Sequence, residues 1–452
     1  MSDIIHQLYQ NQVYPPMSHP LSDPAMSAVA ARIGGLEVKH PRRARILEIG
    51  CCSGHNLIPL AMRWPASECV GIDLAERSIS EATERAARAG VENVSFHVAD
   101  LTDYEPQGGP FDYIIAHGFF SWVPDAVKAA LLVFCRKHLA PPGIATVSFN
   151  LESGWKPRLP VIAKVRAIQQ AGGGDLISCL VLLKGLTDAG DPETAIIDDM
   201  LAKGPAILAF DDFGPVNDAW PLDRFAQAAA NAGLCWLGET DPGENIPSGV
   251  SDEILAEIKA RPTNPLDFQL AVDEAAGRTF RSGVLCRDDA PVAERMPLGL
   301  MLELAVRAGQ KPDDANGMEL FQAIDSFAPA CVEMEEVLHF LPGHDEKWVA
   351  NQLFKGITQG WVRPRIESLH YESEPPEFPE LDAFRLLCAR KCLPLVDAWH
   401  KPCAFPTAHY QVLAAMDGSR SLTELALFSK NLCPELAFVP WLRHLAWRGM
   451  FA

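Results

Sequence analysis

Arg45-Ile-Leu-Glu-Ile-Gly50-Cys-Cys52-Ser-Gly54-His55 is the stretch on which the fold turns. A short apolar run stops at a glycine-bearing turn and residues 56–63 resume as a helix, so the run reads as a buried parallel strand. Working outward, Cys69-Val-Gly-Ile-Asp73 is a second strand that ends in a carboxylate. Ile79, Ala82, Ala86 and Ala89 then recur at helical spacing, with Gly90 as the stop. Val94-Ser-Phe-His-Val98 alternates and runs into Ala99-Asp100; Phe111-Asp-Tyr-Ile-Ile-Ala116 is a fourth strand. A helix over 126–139 and a fifth strand over 143–149 follow. Strands separated by helices, with near-continuous apolar cores, predict an α/β fold on a doubly wound sheet.

The same sheet continues further along the chain. Residues 222–233 read as a helix with Phe225, Ala229 and Ala232 on one face, Leu234-Cys-Trp-Leu-Gly238 as a sixth strand and residues 280–287 as a seventh. Residues 1–288 are thus expected to form one Rossmann-like domain of seven strands, with an insertion at about 154–219 after strand five. That insertion falls at the carboxyl end of the sheet, where open α/β folds bind ligands. Covering the substrate or dimerising are roles open to it; a passive surface excursion is the other reading.

Beyond Asp289 the pattern turns helical, with helices expected over 301–308, 319–327, 332–340 and 347–360. Trp361-Val-Arg-Pro reads as a short strand. The acidic, proline-rich stretch 372–380 reads as a linker. A final module over 380–452 has a helix at 407–416, a turn at Asp417-Gly418 and a new helix at Ser421 with Glu424 completing a capping box. Helices closed by a short strand make 289–371 and 380–452 winged-helix-like modules.

Length and composition bound the function. A chain of 452 residues exceeds one compact core. The net charge of −19 argues against nucleic acid as partner. It suits a small molecule or a basic protein segment, and the pairs Asp198-Asp199 and Asp211-Asp212 read as solvated surface or as a field that steers a cation. No apolar run approaches the roughly 18 residues of a membrane span. The polar segment 1–9 lacks the layout of a secretory signal. A cytoplasmic location without stable membrane association is expected. Twelve irregularly spaced cysteines read as free thiols. Cys388, Cys392, His400 and Cys403 do not have the spacing of common zinc ribbons, so no metal is expected.

The loop after strand one carries the ligand chemistry. Gly50 and Gly54 let the backbone turn sharply and come close to a ligand. The helix N-terminus behind them favours negative charge. Asp73 can accept hydrogen bonds from ribose hydroxyls, and Asp100 is placed to face an adenine amino group. A dinucleotide fingerprint would need glycine where Cys52 and His55 stand. The set suits S-adenosyl-L-methionine, bound through its methionine carboxylate, ribose and adenine.

The chain resembles bacterial class I methyltransferases that carry a methyltransferase regulatory domain, the group that includes the rickettsial outer-membrane-protein lysine methyltransferases. The segments that carry the resemblance are Tyr14-Pro-Pro-Met-Ser-His-Pro20, Ile46-Leu-Glu-Ile-Gly-Cys-Cys-Ser-Gly-His-Asn-Leu-Ile-Pro59, Gly71-Ile-Asp-Leu74, Phe111-Asp-Tyr-Ile-Ile-Ala-His-Gly-Phe-Phe-Ser-Trp-Val-Pro124 and Ser148-Phe-Asn-Leu-Glu-Ser-Gly-Trp155. The stretch from Phe225 to Glu239 also fits, with the regulatory-type segment at about 211–288; the resemblance weakens after Asp289. It implies a cofactor site of Tyr14, Glu48, Gly50, Cys52, Gly54, Asn56, Asp73, Leu74, Asp100, Leu101 and His117. It also implies S-adenosyl-L-homocysteine as product, dimerisation, and lysine side chains as acceptors. This sequence departs from the family at Phe120 and Phe149, where tyrosines are usual, at His55, where a small residue is usual, and at Phe210-Asp-Asp-Phe213, which lacks a histidine and a tyrosine.

Methyl transfer from a sulfonium is an in-line displacement that requires the nucleophile within about 3–3.5 Å of the methyl and water excluded. An amine must also be neutral when it attacks. His117 could orient the cofactor, accept a proton or be a structural histidine. Phe119, Phe120 and Trp122 could wall the acceptor pocket, with ordinary core packing equally open for Phe119, and Asn150 is expected to accept a substrate N–H. Trp155 and the 14–20 segment are expected to close over the site. Three functions stay open at this point: transfer to a protein or peptide amine, a small-molecule N- or O-methyltransferase, and a catalytically silent cofactor-binding scaffold, which the missing tyrosines motivate.

Overall fold

The computed structural model describes residues 14–188, 190–245, 250–261, 264–294, 298–312 and 315–451; the polar segment 1–9 lies outside them. Seven strands form the central sheet: β1 (Arg45–Ile49), β2 (Glu68–Asp73), β3 (Val94–Val98), β4 (Phe111–Ala116), β5 (Leu139–Asn150), β6 (Leu234–Glu239) and β7 (Phe280–Arg287), in the order β3-β2-β1-β4-β5-β7-β6. β1 pairs in parallel with both β2 and β4, which places the topological switch point, and hence the crevice, at its carboxyl end. β7 runs antiparallel to both β5 and β6. The fifth strand begins four residues earlier than its apolar run, because Pro141-Pro142-Gly143 is absorbed where the register against β4 shifts between Phe111 and Tyr113.

Four helices matter for the site: α1 (Pro24–Ile33), α2 (Leu57–Arg63), α3 (Glu76–Arg88) and α4 (Asp125–His138). The insertion folds as short helices at Arg158–Gln170, Leu176–Gly185, Pro192–Ala202 and Pro205–Asp211 around a small core of Trp155, Val161, Val165, Leu180, Ile197 and Met200. Its last helix returns to the mouth of the sheet.

The middle module departs from its helical reading. Residues 301–308 are a 3-10 turn (Leu298–Glu303) followed by the strand β8 (Ala305–Ala308), and 332–340 divides into β9 (Val332–Glu333) and a helix at Met334–Leu338. β8 lies between β9 and β10 (Val362–Arg365). Met301, Leu304 and Ala305 have helical spacing, but cross-strand pairing of Val306 with Pro364 and Val332 overrides it. One apolar cluster joins Ile46, Tyr113 and Val284 of the sheet, Ala28 of α1, and Leu353 and Trp361 of the middle module. The composition break at 289 therefore does not divide the core.

In the C-terminal module β11 (Leu395–Val396) pairs with β12 (Pro402–Cys403), and Ser421 and Glu424 cap the helix Leu422–Leu432 reciprocally as expected. Its core includes Ile58 of α2 and Ala86 of α3. Among the described residues, no helix is long and apolar enough to cross a membrane, and no cluster of three or more metal-ligating side chains occurs.

A buried ion triad ties these parts together. Asp23 caps α1 by accepting from Ala25 N at 2.9 Å, and its Oδ2 accepts from Arg63 of α2 at 2.8 Å and Arg365 of β10 at 2.9 Å. Burial opposes ionisation of Asp23, but the two guanidiniums hold its carboxyl well below the usual range. Asp23→Ala removes the cap and strands two buried cations, so unfolding stability should drop by about 3–5 kcal/mol, read from the urea midpoint.

Candidate cofactor and acceptor site

The residues after β1 build a loop that side chains would obstruct. Gly50 has φ 74°, and Cys52 has φ 46°, uncommon for a residue with a Cβ. Gly50 N donates to Ile72 O at 2.8 Å and Cys52 N to Asp73 Oδ2 at 2.9 Å, which pins the loop to the end of β2. Asp73 Oδ1 also accepts from Ala75 N at 2.9 Å; burial raises its pKa while these amides lower it.

A cavity of about 380 Å³ opens at the carboxyl ends of β1 to β4. Of the sequence-derived cofactor residues, Tyr14, Glu48, Gly50, Cys52, Asn56, Asp73, Leu74, Asp100, Leu101 and His117 all line it. Gly54 does not. Its φ is 69°, and a Cβ there would lie 2.7 Å from the Phe96 ring and 3.1 Å from Ala82, so it serves loop packing. Gly54→Ala combines backbone strain with a clash, and it should lower the melting temperature by several degrees and weaken cofactor binding with it, checked by paired thermal and binding titrations.

Glu48 is the most polarised group in the cavity. It is 4% exposed, its Oε1 accepts from Asn56 Nδ2 at 2.7 Å, and its Oε2 has no partner among the described residues. Burial, with a smaller push from Asp73, raises its pKa to about 8 against the opposing hydrogen bond from Asn56. A buried carboxyl oxygen left without a donor is what a bound cationic group would satisfy. Across the cavity, Asp100 Oδ1 accepts from Thr102 N at 2.9 Å and Thr102 Oγ1 at 2.8 Å, which fixes the turn after β3.

The acceptor half differs from its sequence reading. Phe120 is fully buried against Trp220, Phe225 and Phe149 at ring distances of 5.0, 5.3 and 6.2 Å, and it does not line the cavity. Trp155 sits in the core of the insertion, away from the cavity. Asn150 is also outside: its Nδ2 donates to Asn217 Oδ1 at 2.9 Å and its carbonyl accepts from Trp220 N at 2.9 Å, so its polar groups hold the end of the insertion. Trp122 and Phe119 do line the cavity, and Phe119 also packs against the sheet's core. The phenylalanines that replace family tyrosines at 120 and 149 thus form a core cluster, and the cavity loses no phenol there.

His117 is half-buried and packs against His19 with tilted rings whose centroids are 4.2 Å apart; its Nδ1 has no partner among the described residues. Burial lowers both imidazoles, His19 to about 4 and His117 well below its ordinary value. Both are therefore neutral at physiological pH and weak as bases.

Sequence reasoning missed His19, Asp211 and Phe280, all of which line the cavity. His19 lies inside the Tyr14–Pro20 motif, and Asp211 inside the acidic pairs read as solvated surface or as a field steering a cation. Asp212 is in fact buried, bound by Lys203 at 2.7 Å and Arg158 at 3.3 Å. That pairing turns Asp211 toward the opposite surroundings: it lies 3.5 Å from the Tyr14 hydroxyl, and burial raises its pKa to about 6.

Comparison with known proteins matches this geometry. Residues 46–143 match the family model for a methyltransferase domain and residues 204–287 that for a predicted methyltransferase regulatory domain. An uncharacterized protein of Rickettsia prowazekii, RP789, is 25% identical over 302 residues, covering 64% of this chain and 54% of its own length. A trans-aconitate 2-methyltransferase of Variovorax paradoxus is 29% identical over 162 residues, covering 35% of this chain and 60% of its own. The chain thus spans a little over half the length of these curated relatives. The solved structure of PKMT2 from Rickettsia typhi in complex with AdoHcy superposes with a TM-score of 0.82 at 18% identity, over 97% of this chain and 99% of that one, and shares its fold. The sheet order and the superposition on PKMT2 show a Rossmann-like methyltransferase fold, in which residues 46–143 are similar to methyltransferase domains and residues 204–287 to the predicted methyltransferase regulatory domain.

Proposed function

We propose that this chain is an S-adenosylmethionine-dependent methyltransferase that modifies a side-chain amine of a protein or peptide, of the lysine type. The observation that carries the reading is that Asp211 lines the same cavity as Phe119, Trp122, Phe210 and Phe280. A carboxylate in a cavity with aromatic walls suits a cationic amine, and the net charge of −19 favours a basic segment as its bearer.

The residues fit the cofactor. Glu48 offers a buried, unpartnered oxygen to its ammonium, Asp73 offers acceptors for its ribose, and Asp100 faces its adenine. The bound group supplies a methyl on a positively charged sulfur. Asp211 pairs with the incoming ammonium and takes up its proton, and the raised pKa makes it a better acceptor than an ordinary carboxylate. Phe119, Trp122 and Phe210 exclude water from the path of the amine. His117, kept neutral, packs its ring against His19 and Phe280 at the wall of the cavity. The exposed apolar residues Val181, Leu182 and Leu186 on and beside the helix Leu176–Gly185 suit a second copy of the chain, in line with dimerisation in the family.

Calorimetric titration with S-adenosylmethionine beside Asp73→Ala, followed by labelled methyl transfer to lysine-bearing peptides, tests the proposal. Binding lost in the variant, with label on the ε-amine, is expected. Binding with transfer only to small carboxylic acids or other small molecules would replace the acceptor, and binding without any transfer would leave a scaffold.

A further inference from the structure

Three residues of the loop after β1 are held from behind. Ser53 Oγ accepts from Arg85 of α3 at 2.9 Å. His55 Nε2 lies 2.8 Å from the carbonyl oxygen of Pro394, and Asn56 Oδ1 lies 2.8 Å from His400 Nε2. The last two partners belong to the C-terminal module, nearly 350 residues further along the chain.

The hydrogen-bond accounting around Asn56 is closed. Its Oδ1 faces the backbone N–H of His19 at 2.9 Å, and an N–H can only donate, so that atom is the oxygen. His400 Nε2 must therefore carry the proton and donate to it. The Asn56 amide then gives its own hydrogens to Ser22 Oγ at 2.9 Å and Glu48 Oε1 at 2.7 Å. His400 reaches this position from a tight turn between β11 and β12, where it is fully buried with φ 61°. Asp397 Oδ1 accepts from Trp399 N at 2.9 Å and Lys401 N at 2.8 Å, and Arg448 holds Oδ2 at 2.8 Å, so the turn is braced on both sides of the imidazole.

We propose that His400 is a positioning residue for the cofactor: by donating to Asn56 it locks the carboxamide with its NH2 on Glu48 Oε1, leaving Oε2 as the oxygen for the ammonium. The C-terminal module is then part of the cofactor site, and the inference rests on the cofactor assignment made above. A module that loosens on binding a partner would release Asn56 and lower cofactor affinity through this bond, which supplies a physical route for regulation.

The test is calorimetric titration of the full chain with S-adenosylhomocysteine, with melting temperatures measured in parallel. His400→Asn suits the left-handed backbone but its amide is too short to reach Asn56; His400→Gln reaches it. The expected result is affinity about five- to tenfold weaker in H400N and within about twofold of wild type in H400Q. Leu425→Ala opens a cavity in the core of the same module away from the turn, and it should lower the melting temperature while leaving affinity unchanged. Equal affinity in H400N and wild type overturns the proposal. So does an L425A affinity as weak as that of H400N at a matched drop in melting temperature, because general loosening of the module would then account for both. Absence of binding by the wild type would overturn the cofactor assignment and this inference together.

Discussion

Glu48→Gln is expected to weaken S-adenosylhomocysteine binding by about 10- to 100-fold at pH 8.5, the range of a charge-assisted hydrogen bond removed from a buried site. The larger signature lies in pH. In the free protein, burial puts the Glu48 carboxyl at about 8, so at neutral pH it is mostly protonated. An ammonium can pair with it only after that proton leaves. Wild-type affinity should therefore rise about tenfold per pH unit up to pH 8, with one proton released on binding. Titration in two buffers of different ionisation enthalpy reads that release. The glutamine variant should show neither the slope nor the proton. Stability must move the opposite way. The folded-state pKa of Glu48 is raised above its ordinary value of 4.5, so its contribution is full below that value and is lost as pH rises through about 8. The ligand-free wild type should thus melt progressively lower between those limits, while E48Q stays level. A wild-type affinity that is flat from pH 6 to 8 would refute this account of the site.

The legibility of this site in the sequence was uneven, for a physical reason. The cofactor half rests on strand ends, and strands announce themselves by apolar runs: Glu48, Asp73 and Asp100 each follow or close such a run, and all three meet at one cavity. The acceptor half rests on residues whose direction is set by packing between distant segments. Phe119 and Phe120 are adjacent, and only the fold decides which enters the cavity. The ring of Phe120 goes to Trp220 and Phe225, supplied by chain a hundred residues away. Asp211 and Asp212 pose the same problem. Their shared acidity reads as surface, yet Arg158 and Lys203 bury one and leave the other to the cavity. Residues 301–308 failed differently: the apolar spacing satisfied a helix, and the strands that capture it lie beyond any local window. The same limit hid His400, whose partner Asn56 could not be guessed from spacing alone.

Asp211→Asn should lower kcat/KM toward a lysine-bearing peptide by about 10²- to 10³-fold, within the range of losing a general base. It should leave S-adenosylhomocysteine affinity within about threefold of wild type, because Asp211 stands on the insertion helix Pro205–Asp211 and not among the strand-end residues that face the cofactor. The pH profile separates chemistry from packing. Burial raises the Asp211 carboxyl to about 6, with Asp212 adding to the rise and Lys203 and the Tyr14 hydroxyl opposing it. Only the ionised form can pair with an ammonium and take its proton, so wild-type kcat/KM should fall as pH drops through about 6. Asp211→Asn should lack that acid limb altogether. Tyr14→Phe supplies the graded case: it removes a hydroxyl that lowers the pKa, so its acid limb should move to higher pH while the plateau drops only modestly. A variant that merely disturbed the insertion would lower the plateau and keep the limb where it was. If the limb persists unchanged in Asp211→Asn, the proton acceptor is a group other than Asp211.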